Sequence, residues 1–292
     1  MPGEKEKQHY VPRFYLNTFS RDEEDPYRLY CYDLPEDRVF RSSTKKIAQR
    51  SYFYDLSDRQ YSENKFADFE RHFSTVYYKL IDAADVDALT PSERNVISLF
   101  MSHQHIRTLK FREIVRQASE HTLENVEAEV EDDPGREMVE AGTTDRGAKE
   151  WQLQLMVNAL EGFAEILYGM NWFLFINETD YPLWTSDHPI AIFNTTNPNP
   201  VPEKGVENRG TRIHVPLTSD LLLGMYDPKA YFYPLENAEL TEKKDVDYQN
   251  RLQVEHCHRQ VYSTEEDFEY AREVIEENPE YADTNYSFPD PD

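Results

Sequence analysis

The hydrophobic residues of this chain change their spacing twice, and this change restricts the fold more than any other feature. The run at 27–34 (YRLYCYDL) alternates like a β-strand, and 38–44 (RVFRSST) follows as its hairpin partner. From 63 to 169 the apolar residues recur at helical spacing, and strand-like runs return at 171–264. This order predicts an α+β fold with an N-terminal β-hairpin, a central group of three long helices, and a C-terminal antiparallel or mixed sheet with flanking helices.

The central region should contain three helices. The first begins near Glu63. The second begins at the capping sequence TPSE (90–93), in which Thr caps, Pro occupies the first helical position and Glu closes a capping box, and it should run to the acidic stretch at 131–135. The third should run from near Ala148 to Gly169, since a glycine commonly ends a helix.

A length of 292 residues fits one domain, and we expect a single domain over 1–292. Its sub-regions are the N-terminal motif and hairpin, the helical region, the sheet region, and an acidic helix with a tail (8–56, 63–169, 171–264 and 265–292). Within the sheet region, the loop NTTNPNPVPEKG (194–205) is expected to face solvent and to be mobile. The final SFPDPD (287–292) is expected to be disordered.

The charge of the chain is strongly acidic. Its 56 Asp and Glu residues outnumber 31 Lys and Arg, which gives a formal net charge of -25, and Arg exceeds Lys by 19 to 12. At about 1 M salt the Debye length falls to about 3 Å, so repulsion between carboxylates is screened. We therefore expect a protein adapted to high salt, from a halophilic archaeon or its mobile elements. The rival interpretation, an acidic mimic of nucleic acid or a binder of a basic partner, is disfavoured because the acids are spread along the chain.

The cysteine content and the hydropathy of the chain indicate the cellular compartment in which the protein is expected. Cys31 and Cys257 are too few for a disulfide framework, so a reducing compartment is expected. The sequence contains no apolar run long enough to span a membrane and no signal-peptide core at the N-terminus. We expect a cytoplasmic protein with no membrane association.

A dense motif opens the chain and is followed by several shorter ones. QHYVPRFYL (8–16) and Phe19 come first. The others are Tyr52-Phe53-Tyr54, Arg107, Arg112, Trp172, Thr185-Ser186-Asp187-His188-Pro189, Pro216-Leu217-Thr218, Asn250 and Val261-Tyr262-Ser263. In identity and order these segments resemble the DUF4238 family, which is widespread in microbes and has no established activity. The resemblance spans nearly the whole chain and implies candidate positions without a mechanism. At His188 the family more often carries Asn, which argues against a catalytic imidazole there.

Three residues in the most specific of these segments are candidate catalytic groups. His9 could act as a general acid or base, Arg107 could stabilise negative charge, and Asp187 lies at a strand end, where sites often collect. Each also has a structural interpretation. His9 could fasten the N-terminal segment, Arg107 could pair with an internal carboxylate, and Asp187 could cap backbone N–H groups before Pro189. A hydrolase triad of Ser186, Asp187 and His188 is disfavoured because triads are assembled from separate elements.

Three further residues are candidate ligand-binding groups. Gln8 and Ser186 adjoin His9 and Asp187 in their motifs. Arg112 lies on a helix with one apolar face, where a guanidinium needs an anionic partner. In so acidic a chain, an internal carboxylate is favoured over a substrate phosphate as that partner.

Arg116 and His121 form a minority candidate for catalysis. Their five-residue spacing fits a loose pattern of helical ribonucleases found in toxin and defence systems, in which His transfers protons and Arg stabilises charge at a scissile phosphate. The pattern is short, and chance matches are frequent in a chain that is 30% charged.

Signals for a metal or cofactor are lacking in the sequence. The chain has no CxxC pair, no HExxH and no glycine-rich phosphate loop, so we predict neither a metal site nor a cofactor. The leading hypothesis is a metal-independent RNase or other enzyme acting on a phosphorylated ligand, in a defence or toxin context, with His9, Arg107 and Asp187 in one pocket. The alternative is a non-enzymatic binding module that recognises a partner, such as another protein, through exposed aromatics and the loop at 194–205.

Overall fold

The structure, a computed structural model, describes residues 7–22, 24–54, 63–125, 134–196, 202–232 and 236–284. Most of the acidic stretch expected to end the second helix lies outside these ranges. The central part of the loop predicted to be mobile (197–201) and the tail predicted to be disordered also lie outside them.

The described chain confirms a mixed α+β fold. Its strands are β1 Lys7–His9, β2 Arg28–Asp33, β3 Arg38–Ser43, β4 Gln49–Ser51, β5 Asn171–Asn177, β6 Thr185–Ser186, β7 Ala191–Phe193, β8 Arg212–Pro216, β9 Leu221–Tyr226, β10 Ala238–Leu240 and β11 Gln260–Ser263. Its α-helices are α1 Arg13–Asn17, α2 Glu63–Ala83, α3 Pro91–Ile106, α4 Leu109–Asn125, α5 Pro134–Gly142, α6 Asp145–Asn158, α7 Leu160–Gly169, α8 Lys243–His256 and α9 Glu269–Glu277. Short 3₁₀ turns lie at Val86–Ala88, Pro202–Glu207 and Pro279–Ala282.

The strands form two larger sheets and one pair. The five-stranded sheet has the order β10-β5-β9-β8-β7, and it is mixed because β10 runs parallel to β5 while its other neighbours are antiparallel. The four-stranded sheet has the order β3-β2-β11-β6, so the predicted N-terminal hairpin, β2 with β3, is confirmed. The strand β11 joins this hairpin from the far end of the chain. The remaining pair, β1 with β4, connects the opening motif to the chain that follows the hairpin.

The predicted second helix starts where its capping box places it but consists of two helices. Thr90 accepts from the Glu93 N–H, and the Glu93 carboxylate accepts from the Thr90 N–H at 2.8 Å. The helix then breaks between α3 and α4 at Arg107 and Thr108. The Gln152 side chain donates to the carbonyls of Ile106 and Thr108 at 2.8 and 2.7 Å, which satisfies acceptors that the break leaves open.

The third predicted helix is likewise two helices. α6 begins at Asp145, slightly before the predicted start at Ala148, because the Thr144 hydroxyl accepts from the Gly147 N–H at 3.0 Å and caps the helix. α7 follows after Ala159 and ends at Gly169, as predicted.

The short helix α1 fixes the opening motif in the core. Tyr15, Leu16 and Phe19 are fully buried, and the Tyr15 hydroxyl donates to the Pro216 carbonyl at 2.7 Å. Tyr15 thereby connects the N-terminal motif to the five-stranded sheet. Within the part of the chain that the structure describes, no helix is both long enough and apolar enough to cross a membrane.

Candidate functional site

The side chains of Gln8 and His9 bind backbone groups of neighbouring segments. The Gln8 Oε1 atom accepts from the Tyr54 N–H at 2.7 Å, and the His9 Nε2 atom lies 3.2 Å from the Thr44 carbonyl oxygen. The Tyr54 hydroxyl donates to the His9 carbonyl at 3.1 Å. Burial is the main cause that lowers the pKa of His9. These contacts fasten the opening motif to the segments around it.

Arg107 is fully buried at the α3–α4 break, and internal partners surround it. Its guanidinium donates to the Tyr54 hydroxyl at 2.9 Å, to Glu70 Oε1 at 2.9 Å and to the His9 carbonyl at 2.7 Å. The carboxylate of Glu70 is the internal anionic partner that the sequence favoured for such an arginine.

Asp187 and Ser186 also face protein groups. The Asp187 carboxylate accepts from three consecutive backbone N–H groups, those of His258, Arg259 and Gln260, at 2.8, 3.0 and 3.2 Å. Burial nevertheless raises the pKa of Asp187 to about 7. The Ser186 hydroxyl donates to Gln253 Oε1 at 2.9 Å.

The segments that carry His9, Arg107 and Asp187 meet in the fold. Arg107 contacts the His9 carbonyl, and the Thr108 hydroxyl lies 2.6 Å from His188 Nδ1, next to Asp187. Their polar side-chain atoms, however, bind three different sets of protein groups and do not face one another. None of the three residues lines the cavity formed by β4, α4, α6 and the turn before β11.

That cavity has a volume of about 450 Å³ and opens between β4, α4, the first turn of α6 and the turn from α8 to β11. Its wall carries five cations: Arg50, Arg112, Arg116, Arg146 and Lys149. Two carboxylates, one imidazole and two apolar residues complete the wall: Glu113, Asp145, His258, Leu109 and Ala148. We call this cavity the cationic pocket, since cations outnumber carboxylates there in a chain of net charge -25.

Arg112 is held in this wall by hydrogen bonds to neutral groups and by a ring contact. Its Nε donates to Gln152 Oε1 at 2.8 Å and one Nη donates to the Phe53 carbonyl at 3.0 Å, while the guanidinium lies 4.0 Å from the centre of the Phe53 ring. Among the described residues, no carboxylate oxygen lies within 4.0 Å of the Arg112 or Arg50 guanidinium. Burial is the main cause that lowers the pKa of Arg112 to about 10, so it stays cationic at neutral pH.

Arg116 and His121, the minority catalytic pair, are not both on the pocket wall. Arg116 lines the pocket and forms ion pairs with Glu113 and Glu120 on its own helix. His121 lies on the same helix, α4, but is not one of the lining residues.

His258 brings an imidazole to the pocket wall. Burial, followed by the positive charges of Lys110 and Arg50, lowers the pKa of His258 to about 4. The side chain is therefore neutral at neutral pH. Its imidazole makes no hydrogen bond to any residue that the structure describes.

Only Arg112 and Arg116 of the five cations were candidates from the sequence. Arg50, Arg146 and Lys149 were missed because no motif or spacing distinguishes them from other charged residues. They meet only through the packing of β4 and α6 against α4. His258 was not a candidate from the sequence, because it reaches the wall only through the turn between α8 and β11.

Metal-binding side chains do not cluster in the described ranges, where no group of three or more His, Cys, Asp or Glu is arranged to hold an ion. The fold and the site together define an α+β protein with a cationic pocket in a strongly acidic chain. The model of the family described as protein of unknown function (DUF4238) matches residues 7–267, and the chain belongs to this family. No curated protein and no solved structure shows significant similarity to the chain.

Proposed function

We propose that the protein binds a phosphorylated ligand in the cationic pocket. The observation that carries this proposal is the charge of the wall, where five cations face two carboxylates although the whole chain has 56 acidic residues. Among the described residues, the partly buried Arg112 guanidinium has hydrogen bonds to neutral groups and no carboxylate within ion-pair distance, so an anion from solution can serve as its charged partner. Phosphate is the anion whose geometry best matches the guanidinium fork.

The size and rigidity of the pocket support a ligand of nucleotide size. A volume of about 450 Å³ falls in the range of small-molecule sites, which is about 300–1,000 Å³. Arg112 is already oriented by Gln152 and Phe53, so little conformational entropy is lost when it binds an anion. The open mouth would also accept the end of an RNA strand.

Cleavage of RNA is a second candidate, favoured by the presence of His258 among the arginines. A neutral imidazole can take the proton of a ribose 2′-hydroxyl as its oxygen attacks the adjacent phosphorus. The 5′-oxygen then leaves with a proton taken from solvent water, a 2′,3′-cyclic phosphate remains, and the protonated His258 returns its proton to solvent. Arg112 or Arg50 would stabilise the charge that develops on the phosphate oxygens. This moves the proposed proton transfer from His9 to His258.

Binding without catalysis is the alternative from a different class. It is supported by the contacts of His9, whose Nε2 faces the Thr44 carbonyl, and by exposed aromatic side chains such as Phe232, which is 65% exposed. In this case the cationic pocket would recognise a phosphorylated group on a partner and leave it intact.

Calorimetric titration with adenosine 5′-monophosphate tests the binding proposal, with adenosine as the uncharged control ligand. It should be done at the lowest KCl concentration at which circular dichroism shows native structure. We expect the monophosphate to bind and adenosine to bind much more weakly. Arg112→Gln and Arg50→Gln should each weaken binding about 10-fold or more, since a hydrogen bond to a charged group contributes about 1.5–3 kcal/mol.

The matched control is Arg21→Gln, which removes the same charge from a side chain that is 67% exposed and forms an ion pair with Glu265 outside the pocket. Equal affinity for adenosine and its monophosphate, or equal losses in Arg21→Gln and Arg112→Gln, would contradict the proposal.

Turnover of RNA separates the two remaining candidates. Purified wild type, His258→Gln, His9→Ala and His121→Ala are compared in about 2 M KCl, where repulsion between carboxylates is screened. Loss of turnover in a folded His258→Gln variant alone supports cleavage in the cationic pocket. Binding of the monophosphate without turnover of RNA by any of the four proteins supports the binding module.

A further inference from the structure

We infer that His258 takes up a proton when a phosphate or sulfate dianion enters the cationic pocket, and that Asp187 is the positioning residue that holds His258 at the wall. This inference rests on the proposed function and deepens it, because it makes the charge of the bound group part of its recognition. In this inference Asp187 does not contact the ligand; it acts by holding the backbone of the turn that carries His258.

The turn that presents His258 is fastened from β6. α8 ends at His256, and the chain then turns into β11 with the N–H groups of His258, Arg259 and Gln260 all directed at the Asp187 carboxylate. The Asp187 N–H donates in return to the Gln260 carbonyl at 3.0 Å. Four hydrogen bonds between one aspartate and three consecutive residues leave this turn little freedom. The imidazole of His258 is therefore delivered to the wall by a rigid backbone.

The charges that face His258 are mostly positive. Arg50 approaches from β4, Lys110 from α4 and Arg259 from the same turn, and each disfavours a proton on the imidazole. Glu113 of α4 is the carboxylate that acts in the opposite direction. His188 and Asp187 also lie next to the turn. The other charged side chains on the pocket wall belong to α4 and α6: Arg112, Arg116, Asp145, Arg146 and Lys149. Without a ligand, burial first and the positive charges of Lys110 and Arg50 second lower the pKa of His258 and keep the imidazole neutral.

A dianion in the pocket would reverse this balance. It would neutralise the field of Arg50 and Arg112 and would place negative charge beside the imidazole, so that the protonated form becomes favourable and can donate a hydrogen bond to the ligand. An uncharged ligand would produce no such change. The pocket would thus bind a dianionic group together with one proton.

The test is a pH titration of the His258 imidazole by NMR on the full chain labelled with ¹⁵N-histidine, with and without sodium sulfate. Sulfate is the probe because it remains a dianion across the range, whereas phosphate titrates itself. His258→Gln identifies the signal among nine histidines. We expect sulfate to raise the pKa of His258 by about one unit or more, a tenfold change in proton affinity. Arg112→Gln, which weakens the pocket, should need more sulfate for the same shift.

The outcomes separate this inference from the proposed function. If sulfate shifts pocket signals in wild type and less so in Arg112→Gln, but the pKa of His258 stays constant, the pocket binds dianions and the proton uptake is wrong. If neither sulfate nor adenosine 5′-monophosphate shifts any pocket signal, the proposed function fails and the inference fails with it.

Two variants test the positioning role of Asp187. Asp187→Asn places N–H groups against backbone donors and should loosen the turn, so that the pKa of His258 moves toward its ordinary value and sulfate shifts it less. Ser186→Ala is the matched control, since it removes neighbouring buried hydrogen bonds to Gln253 and from the His188 N–H but none of the four bonds between Asp187 and the turn. Identical His258 titrations in wild type and in a folded Asp187→Asn variant would overturn the role. If Asp187→Asn does not fold, the wild-type titration still decides the proton uptake.

Discussion

Arg107 and Arg112 are five positions apart and have opposite environments. Arg107 is 2% exposed, and its guanidinium is occupied by Glu70, Tyr54 and the His9 carbonyl. Within the described ranges, the Arg112 guanidinium donates hydrogen bonds to neutral groups, and it lines the cationic pocket. In an acidic chain, an arginine that lacks a carboxylate partner among the described residues indicates an anion-binding site more strongly than an arginine that has one. The hydrogen bonds of the Arg107 guanidinium among the described residues all go to protein groups, whereas Arg112 also faces an open cavity.

The largest effect that separates the two sites should come from Arg107→Met. The substitution removes a buried cation, so the Glu70 carboxylate and the Tyr54 hydroxyl lose their guanidinium partner, while the His9 carbonyl keeps the Tyr54 hydroxyl as a donor. We expect the free energy of unfolding to fall by about 3–5 kcal/mol, as is typical when one partner of a buried pair is lost. Urea denaturation at constant KCl measures the change. Arg21→Met, an exposed arginine, is the control and should stay within about 0.5 kcal/mol of wild type.

Arg112→Gln should lower the stability only slightly and should lower the affinity for the ligand strongly. Gln keeps one donor for Gln152 or the Phe53 carbonyl, so we expect a loss of stability of about 1 kcal/mol, together with the loss of affinity for adenosine 5′-monophosphate described above. Urea denaturation and calorimetry on one protein sample measure the two values. If Arg112→Gln proves as destabilising as Arg107→Met, the two arginines do not differ in their structural role.

The pH dependence of stability should reflect buried histidines outside the pocket. His214 is 2% exposed, with its ring nitrogens bound to Gln249 and to the Tyr226 hydroxyl, and burial lowers its pKa to about 4. Because the unfolded chain protonates first, this contribution is complete above about pH 6.5 and is lost as the pH falls toward 4. Asp187 acts in the opposite sense: its raised pKa gives a contribution that is complete below about pH 4 and is lost as the pH rises through 7.

Urea denaturation at several pH values measures this dependence for His214→Gln. Between pH 6.5 and 4 the variant should lose less stability than wild type, by about 1–3 kcal/mol. His72→Gln, which makes the same substitution at an exposed position on α2, is the control variant. If His214→Gln and wild type fall in parallel, the neutral state of His214 does not stabilise the fold.

The smallest effect is expected for His121→Ala. His121 shares α4 with Arg112 and Arg116 but is not part of the pocket wall, so affinity for adenosine 5′-monophosphate should be unchanged and stability should change by about 0.5 kcal/mol or less. Calorimetry and denaturation on the same preparation check both values. A clear loss of affinity in this variant would restore the Arg116–His121 pair as a candidate site.

The parts of the fold that could be predicted from the sequence depend on local chemistry. The hairpin of β2 and β3 follows from alternation, and the start of α3 follows from a capping box within four residues. The break at Thr108 could not be predicted, because the groups that stabilise it belong to Gln152 and His188, far along the chain. Spacing along one helix carries no information about such partners.

The cationic pocket was predictable only in part, for the same reason. Arg112 and Arg116 could be selected because they lie on one helix within or beside a recognised motif. Arg50 and His258 join them through β4 and through the turn before β11, and nothing in their local sequence indicates that they meet. The net charge of -25 describes the whole chain and gives no sign of a small, locally positive cavity.

The position of β11 between β2 and β6 has a consequence for the order of events on the ribosome. The N-terminal hairpin is synthesised early, yet its sheet is closed by Gln260–Ser263, which emerge more than two hundred residues later. Such non-local pairing slows folding, because a long loop must close before any contact stabilises it. The nascent chain therefore has an unpaired hairpin edge during most of its synthesis, and a prematurely terminated product would lack both the closing strand and the pocket wall that His258 supplies.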